Sequence, residues 1–351
     1  MRPSLCVINY NGEAYLRQSL PAALRQAGLF EEILLVDNGS TDGSVALVER
    51  EFPAVRVVQL GENRGACGAR NAGIREARTD LLLFLDNDVF LLDGCVERLV
   101  EALGAHPDAI LAAPSVMYAN APETVQYCGA DNHYLGLMIP RQENIPLARI
   151  DPSVQRTNSL VTACFLVDRT RLVDPEPFDE LYFIYLDDHD FGIRQRALGN
   201  AILAVPQAHV LHGEGQAGLS LRKLGKYTDT RVYLLIRNRW IFVLKHYSLR
   251  SLLLLSPVLF VYEIAQLGIV LKKGWLRPWL RALGWSVTHL STILKKRRTV
   301  QQTRKLPDRS FISGGPVPFR PELTTGSLER FGKATLDAIV TGYWKGVAPL
   351  I

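Results

Sequence analysis

The sequence has no C-x-x-C pair, and its five cysteines (Cys6, Cys67, Cys95, Cys128 and Cys164) are scattered and odd in number. That argues against a disulfide framework or a cysteine zinc site and predicts buried thiols in a reducing cytoplasm. A signal-peptide pattern is missing too, since Met1-Arg2-Pro3 runs straight into an apolar strand at Ser4–Tyr10. The protein is therefore expected to stay in the compartment where it is made. No internal repeat is visible, and no G-x-G-x-x-G follows the first strand, which disfavours a simple dinucleotide fold. Acidic residues almost vanish between Arg237 and Lys305, where Glu263 stands alone among many lysines and arginines. With a formal net charge of only +5, the rest of the chain is net acidic. Such a basic block suits an anionic partner. No nucleic-acid recognition motif accompanies it, so a membrane surface is expected and nucleic acid is not.

What is present begins with alternating strands and helices. Leu5-Cys6-Val7-Ile8, Ile33-Leu34-Leu35-Val36, Val55–Leu60 and Leu81–Leu85 are apolar runs of strand length. Leu16, Leu20 and Leu24 recur on one helical face, and Ala66–Ala77 reads as another helix. β-α-β-α order with continuous apolar strands implies a parallel sheet covered by helices on both faces. Ligands of such sheets sit beyond the carboxyl ends of the strands. The polar clusters Asn9-Tyr10-Asn11, Asp37-Asn38 and Asp86-Asn87-Asp88 all fall at that edge.

Asp86-Asn87-Asp88 is the most informative of these. Aspartates at i and i+2 on an extended backbone face one side. Two such carboxylates suit a hard divalent cation, Mg2+ or Mn2+, that keeps phosphate oxygens in its remaining positions. A D-x-D also suits a solvated loop that caps the next helix. A nucleoside diphosphate makes best sense of the neighbours. Asp37 can accept from a base N–H or a ribose hydroxyl, and Asn38 can donate and accept. The stretch Gly61–Gly73 combines glycines, which let a backbone approach a ligand, with Arg64 and Arg70, which suit phosphate.

From about 110 to 215 the pattern is mixed, with strands at Leu160–Val167 and Ala201–Val205 and a helix after Asp187-Asp188-His189-Asp190. Two adjacent carboxylates can supply a general base, or can simply favour the dipole of the helix they open. His209-Val210-Leu211-His212 follows, a spacing that taken alone is more often structural than ligating.

Taken in order, Val7–Gly12, Val36–Ser44, Asn63-Arg64-Gly65 with Gly68–Asn71, Leu85–Asp88, Phe178-Asp179-Glu180 and Tyr185–Phe191 resemble the motifs of the family 2 glycosyltransferases. The likeness is to the bacterial rhamnosyltransferase-like branch. The resemblance implies an α/β protein of GT-A type, a mostly parallel nucleotide-binding sheet with flanking helices, followed here by a helical C-terminal region. It also implies a nucleoside-diphosphate sugar donor, a divalent metal, and transfer with inversion to a glycan or polyprenyl-linked acceptor. Asp188 is then the base that deprotonates the acceptor hydroxyl, with Asp187 where the family usually carries Glu. Asn9, Asn11, Asp37, Asn38, Arg64, Arg70 and Asp86 line the donor side. Asp86, Asp88 and His212 are the metal candidates, with Asp88 ligating and Asp86 leaning toward the ribose. Asp187, Asp190, Arg237 and Asn238 belong to the acceptor side, the last two within a Y-x-x-x-R-N segment. Ile236 stands where processive synthases carry glutamine, which favours single-sugar transfer.

The expected organisation is a catalytic domain over 1–215, donor half about 1–110 and acceptor half about 111–215. A basic, membrane-associated helical region follows over 216–307, then an extended linker and terminal helix over 308–351. Within the basic region, Ser251–Leu271 approaches the roughly 20 residues that span a bilayer, but Pro257, Glu263 and Gln266 interrupt it. Tryptophans 275, 279 and 285 among cations suit a headgroup layer. Interfacial helices, ordinary helical packing and a true span all remain open, as do two other functions: a sugar-phosphate nucleotidyltransferase and a non-catalytic nucleotide-sugar or membrane-binding scaffold. The location that follows is cytoplasmic, peripheral on the inner face of the cell membrane.

Overall fold

Apolar runs become strands and leucines at helical spacing become the helices between them. The computed structural model describes residues 2–213, 215, 227–319 and 326–351. It forms two compact units: Met1–Ala130 with Pro140–Gln195 and Asn200–Leu224, and Asp131–Ile139 with Arg196–Gly199 and Gly225–Ile351.

The first unit opens with β1 (Ser4–Asn9), α1 (Glu13–Leu24), β2 (Glu32–Asp37), α2 (Ser44–Glu51), β3 (Arg56–Gln59), α3 (Gly65–Glu76) and β4 (Leu81–Asp86). There β1 runs parallel to β2 and β4, and β2 parallel to β3. The register sets Asn9 opposite Asp37 and Ile8 opposite Asp86, so three polar residues end neighbouring strands at one edge. Next come β5 (Val89–Leu91), α4 (Cys95–Ala105), β6 (Ala109–Tyr118) and β7 (Ala121–Tyr127). After β8 (Ala130–His133) and β9 (Leu137–Pro140), the chain adds β10 (Ile145–Pro146), β11 (Gln155–Thr157), β12 (Cys164–Asp168), α5 (Asp187–Ala197) and β13 (Ala201–His212).

The sheet is mixed. β12 lies antiparallel between β4 and β6, while β13 runs parallel to β6 and antiparallel to β5 and β11. Parallel pairing thus dominates only the β3-β2-β1-β4 half. The strand expected at Leu160–Val167 starts at Cys164, after a turn, and the one expected at Ala201–Val205 continues to His212 past a register shift. Its extra length carries His212 to the polar edge.

Leu5, Val7, Leu16, Leu20, Leu35 and Leu83 are buried in one cluster that joins sheet and helices. Phe84 stacks on Phe165 across β4 and β12 at 5.0 Å. At Gly73 an added Cβ would lie 2.8 Å from the Phe84 ring, so glycine lets α3 sit close on the sheet. All five cysteines are free and buried, and burial pushes the Cys6 thiol well above its usual range.

The second unit contains α6 (Asp229–His246), α7 (Leu249–Lys273), α8 (Leu276–Thr288), α9 (Leu290–Thr303), β14 (Ile312–Ser313) and α10 (Ser327–Val347). Ser248 caps α7, its hydroxyl accepting from the Ser251 N–H at 3.0 Å, and Gly274 at φ 74° ends it. The division expected at 215/216 falls among residues 214 and 216–226, outside the described residues. The segment expected as a linker supplies β14, which pairs with β8, and its residues 320–325 lie outside the described residues too. On α10, residues 328, 331, 336 and 339 share one helical face, of which Leu336 is buried while Phe331 and Ile339 are exposed. The side chain of Leu328, fourth on that face, is outside the described residues.

Candidate active site

The polar edge is stitched by side-chain amides. Buried Asn9 donates to Asp37 Oδ1 at 2.9 Å and accepts from Asn87 at 2.8 Å, which ties the ends of β1, β2 and β4 together. Asp37 also accepts from the Ser40 N–H at 3.0 Å. Asn11, at φ 47°, accepts from the Thr41 N–H at 2.7 Å. The Asn38 amide donates to Asn63 Oδ1 and the Gly65 carbonyl, each at 3.0 Å, and accepts from the Arg64 N–H at 2.9 Å. These bonds fix the three loops that follow β1, β2 and β3.

Arg70, on α3, is buried between two carboxylates. It donates to Asp86 at 2.9 Å, to Asp187 at 2.8 Å and to the Thr162 carbonyl at 3.2 Å. Burial alone would lower its pKa, but the charges of Asp86 and Asp187 raise it, so the guanidinium stays charged. Arg64, at the start of α3, forms a bidentate pair with Glu180 at 2.8 and 3.0 Å. The glycines between them serve packing: a Cβ on Gly65 would fall 2.2 Å from the Phe183 carbonyl oxygen, and the Gly65 φ is 71°. The two arginines thus engage carboxylates of the chain, where the sequence suggested phosphate.

Phe183, Tyr185 and Leu186 carry φ values of 66°, 68° and 55°. Three non-glycine residues in the left-handed region store strain immediately before α5. That segment delivers Asp187 to Arg70 and sets Asp188 beside it in the first turn of α5. Asp187 is buried, and burial raises its pKa against the opposing pull of Arg70. Half-buried Asp188 is pushed up to about 7, first by burial and then by the charge of Asp187. The His189 N–H donates to its Oδ1 at 2.8 Å. Asp190 is fully buried and paired with Arg194 at 3.0 Å, which fixes the helix.

Residues 87–88 form a turn between β4 and β5, so the i, i+2 rule of an extended strand does not set the directions of Asp86 and Asp88. Asp86 meets Arg70. Asp88 meets His212, whose Nε2 lies 3.5 Å from Asp88 Oδ1 through the pairing of β13 with β5. The other ring nitrogen of His212 contacts Gln126 Oε1 at 3.0 Å. Both ring nitrogens thus face acceptor oxygens, which suits an imidazolium; with its proton kept on Nδ1 toward Gln126, the ring could instead turn Nε2 to a cation beside Asp88. Among the described residues no group of three His, Cys, Asp or Glu side chains could by itself hold a metal ion. Asp88 and His212 therefore offer two side-chain ligands at most to such an ion. Gln126 carries no sequence signal, and the pairing of Glu180 with Arg64 appears only once the fold joins α3 to the segment before α5.

Arg237 and Asn238 belong to the second unit. There Arg237 donates to Asn238 Oδ1 at 2.9 Å, and its guanidinium lies 4.8 Å from the Trp285 ring centre and 5.3 Å from that of Tyr233.

A mixed sheet with this polar edge and a helical C-terminal region is a GT-A-type architecture. The solved structure described as "Crystal structure of GalNAc-T7 with UDP, GalNAc and Mn2+" shares the fold, with a TM-score of 0.53 and 16% identity over 71% of this chain and 48% of that one. Residues 4–153 match the sequence model of glycosyl transferase family 2. It is similar to the N-acetylglucosaminyl-diphospho-decaprenol L-rhamnosyltransferase of Mycobacterium tuberculosis (strain H37Rv), 29% identical over 201 residues, which cover 51% of this chain and 66% of that relative. The succinoglycan biosynthesis protein ExoO of Rhizobium meliloti is 37% identical over 100 residues, 28% of this chain and 29% of that protein.

Proposed function

We propose that this glycosyltransferase moves one sugar, with inversion, from a nucleoside-diphosphate sugar to a hydroxyl of a glycan or polyprenyl-linked acceptor at the cytoplasmic face of the membrane, in the synthesis of bacterial cell-surface polysaccharide. The observation that carries it is Asp188: a half-buried carboxyl with a pKa pushed up to about 7, next to the charged triad Asp86–Arg70–Asp187. A base of that pKa accepts a hydroxyl proton near neutral pH while remaining ionised often enough to act. Asp187, locked on Arg70, raises the basicity of its neighbour and cannot swing away. Asn9 and Asp37 suit the nucleoside, and Asp88 with His212 would hold a divalent cation beside the diphosphate. When bound, that cation offsets the charge developing on the leaving diphosphate. Arg64 is held by Glu180 at the rim of the donor side. A polyprenyl-linked acceptor is the first to try, because the mycobacterial relative is named for one.

A nucleotidyltransferase is the weaker reading, since a triphosphate needs a cationic loop after the first strand and Asn9-Tyr10-Asn11-Gly12 supplies none. The test is a thermal-shift panel of UDP, GDP, dTDP and CDP with and without Mn2+ or Mg2+. One of them should raise the melting temperature with metal, by an amount that grows with the logarithm of ligand concentration over Kd. No shift with any of them contradicts the donor site.

A further inference from the structure

Helix α7 is long and apolar enough to cross a membrane by length and composition. Its exposed residues say more. Leu249, Leu253, Phe260, Ile264 and Leu271 are the large apolar side chains it leaves in solvent, with Leu253 67% and Phe260 66% exposed. At roughly 100° per residue these five fall within about 60° of arc, a single stripe. The opposite face is packed within the second unit. Ser251, Leu255, Val258, Tyr262 and Val270 are buried, the Tyr343 hydroxyl donates to the Leu254 carbonyl at 2.6 Å, and Glu263 pairs with Arg239.

A second stripe continues through α8 and α9. Leu276, Leu280, Leu283, Val287, Leu290 and Leu294 alternate in steps of four and three, and all are exposed. Lys273, Arg277, Arg281, Lys295 and Arg298 are exposed on the same three helices. The tryptophans expected at a headgroup layer are half-buried instead, and Trp275 and Trp279 pack on the cluster of Val232, Ile236, Val270 and Ala282. Aliphatic side chains and Phe260 therefore form the outward surface.

We propose that these two stripes lie in the headgroup layer of an anionic bilayer, with α7 parallel to the membrane plane and not crossing it. A one-sided apolar stripe beside cations matches an interfacial helix. Crossing would expose the packed face of α7, with Glu263, to hydrocarbon. A second copy of the chain is the less suitable occupant, because pairing the stripes would set like charges against each other. The proposal rests on the membrane-side reading above, but not on which sugar is moved.

The test uses the full chain, sedimented with vesicles of phosphatidylethanolamine and phosphatidylglycerol or of phosphatidylcholine alone. Binding should need the anionic lipid and weaken with salt. The variants Leu253→Gln/Phe260→Gln/Ile264→Gln and Leu280→Gln/Leu283→Gln/Val287→Gln should each weaken it at least about tenfold. The charge variant Lys273→Glu/Arg277→Glu/Arg281→Glu, which removes no apolar side chain, should also weaken it. Melting temperature and nucleoside-diphosphate binding should stay as in the parent, so that loss of docking is told apart from loss of the donor site. Undiminished vesicle binding by these variants overturns the proposal. So does parent protein that resists alkaline extraction from membranes, as a spanning helix would. A parent that ignores anionic vesicles and instead forms a dimer broken by the same glutamines overturns it as well.

Discussion

Arg70 and Asp187, 117 positions apart in sequence, are joined by a 2.8 Å hydrogen bond from the guanidinium to Oδ2. The same guanidinium reaches Asp86 at the end of β4. One buried cation therefore links the polar edge of the sheet to the carboxylate pair that opens α5. It also offsets the negative charge gathered there, so it shapes both stability and the basicity of Asp188.

Replacing Arg70 by alanine leaves Asp187 buried without its cation, and removal of one partner of a buried pair costs about 3–5 kcal/mol. Arg70 also lowers the pKa of Asp188, so its loss should push that pKa further up. Denaturant unfolding and a pH–rate profile of the same variant read the two effects separately.

The Asp188 shift has a definite sign. A base must be ionised, so kcat/KM should climb with pH up to about 7 and then level off. Stability runs the other way: the folded pKa, about 7, lies above the ordinary 3.8, so Asp188's contribution is full below the latter and is lost as pH rises through the former. Asp187→Asn removes the neighbouring charge and should move the acid limb of activity to lower pH.

His212→Ala and Asp88→Asn each remove half of the candidate cation pair. Loss of one ligand should weaken the metal-dependent part of nucleoside-diphosphate binding by more than the about 10–100-fold that loss of an outer-shell partner costs, and calorimetric titration with and without Mn2+ measures it. Metal-free binding should change little. Gln126→Leu, which frees the imidazole without touching a ligand, should have a smaller effect of the same sign.

Gly65→Ala should cost about 1–3 kcal/mol, because alanine is strained at φ 71° and its Cβ meets the Phe183 carbonyl. Phe183 belongs to the left-handed segment that delivers Asp187, so activity should fall more than stability alone explains. Thermal melts and kcat on one preparation compare the two.

Much of the donor half is legible in sequence because its strands are buried on both faces and its polar residues sit where strands must end. Asn9, Asp37 and Asp86 were placed by that logic, and the register bears it out as geometry. Asp86 and Asp88 stand across a turn, where side-chain direction follows local dihedrals and not strand periodicity. Phosphate and carboxylate demand the same guanidinium chemistry, and only the tertiary fold shows that Glu180 comes within reach of Arg64, and Asp86 and Asp187 within reach of Arg70. Gln126 and the second unit's inserted pieces, Asp131–Ile139 and Arg196–Gly199, depend on contacts between distant segments and carry no local pattern.

The most direct measurement is the turnover of Asp188→Asn with a matched sugar donor and acceptor, alongside its binding of the nucleoside diphosphate. Loss of a general base predicts a rate lower by about 100- to 10,000-fold, with binding and melting behaviour retained. Turnover equal to that of the parent enzyme would contradict the assignment of Asp188 as the base.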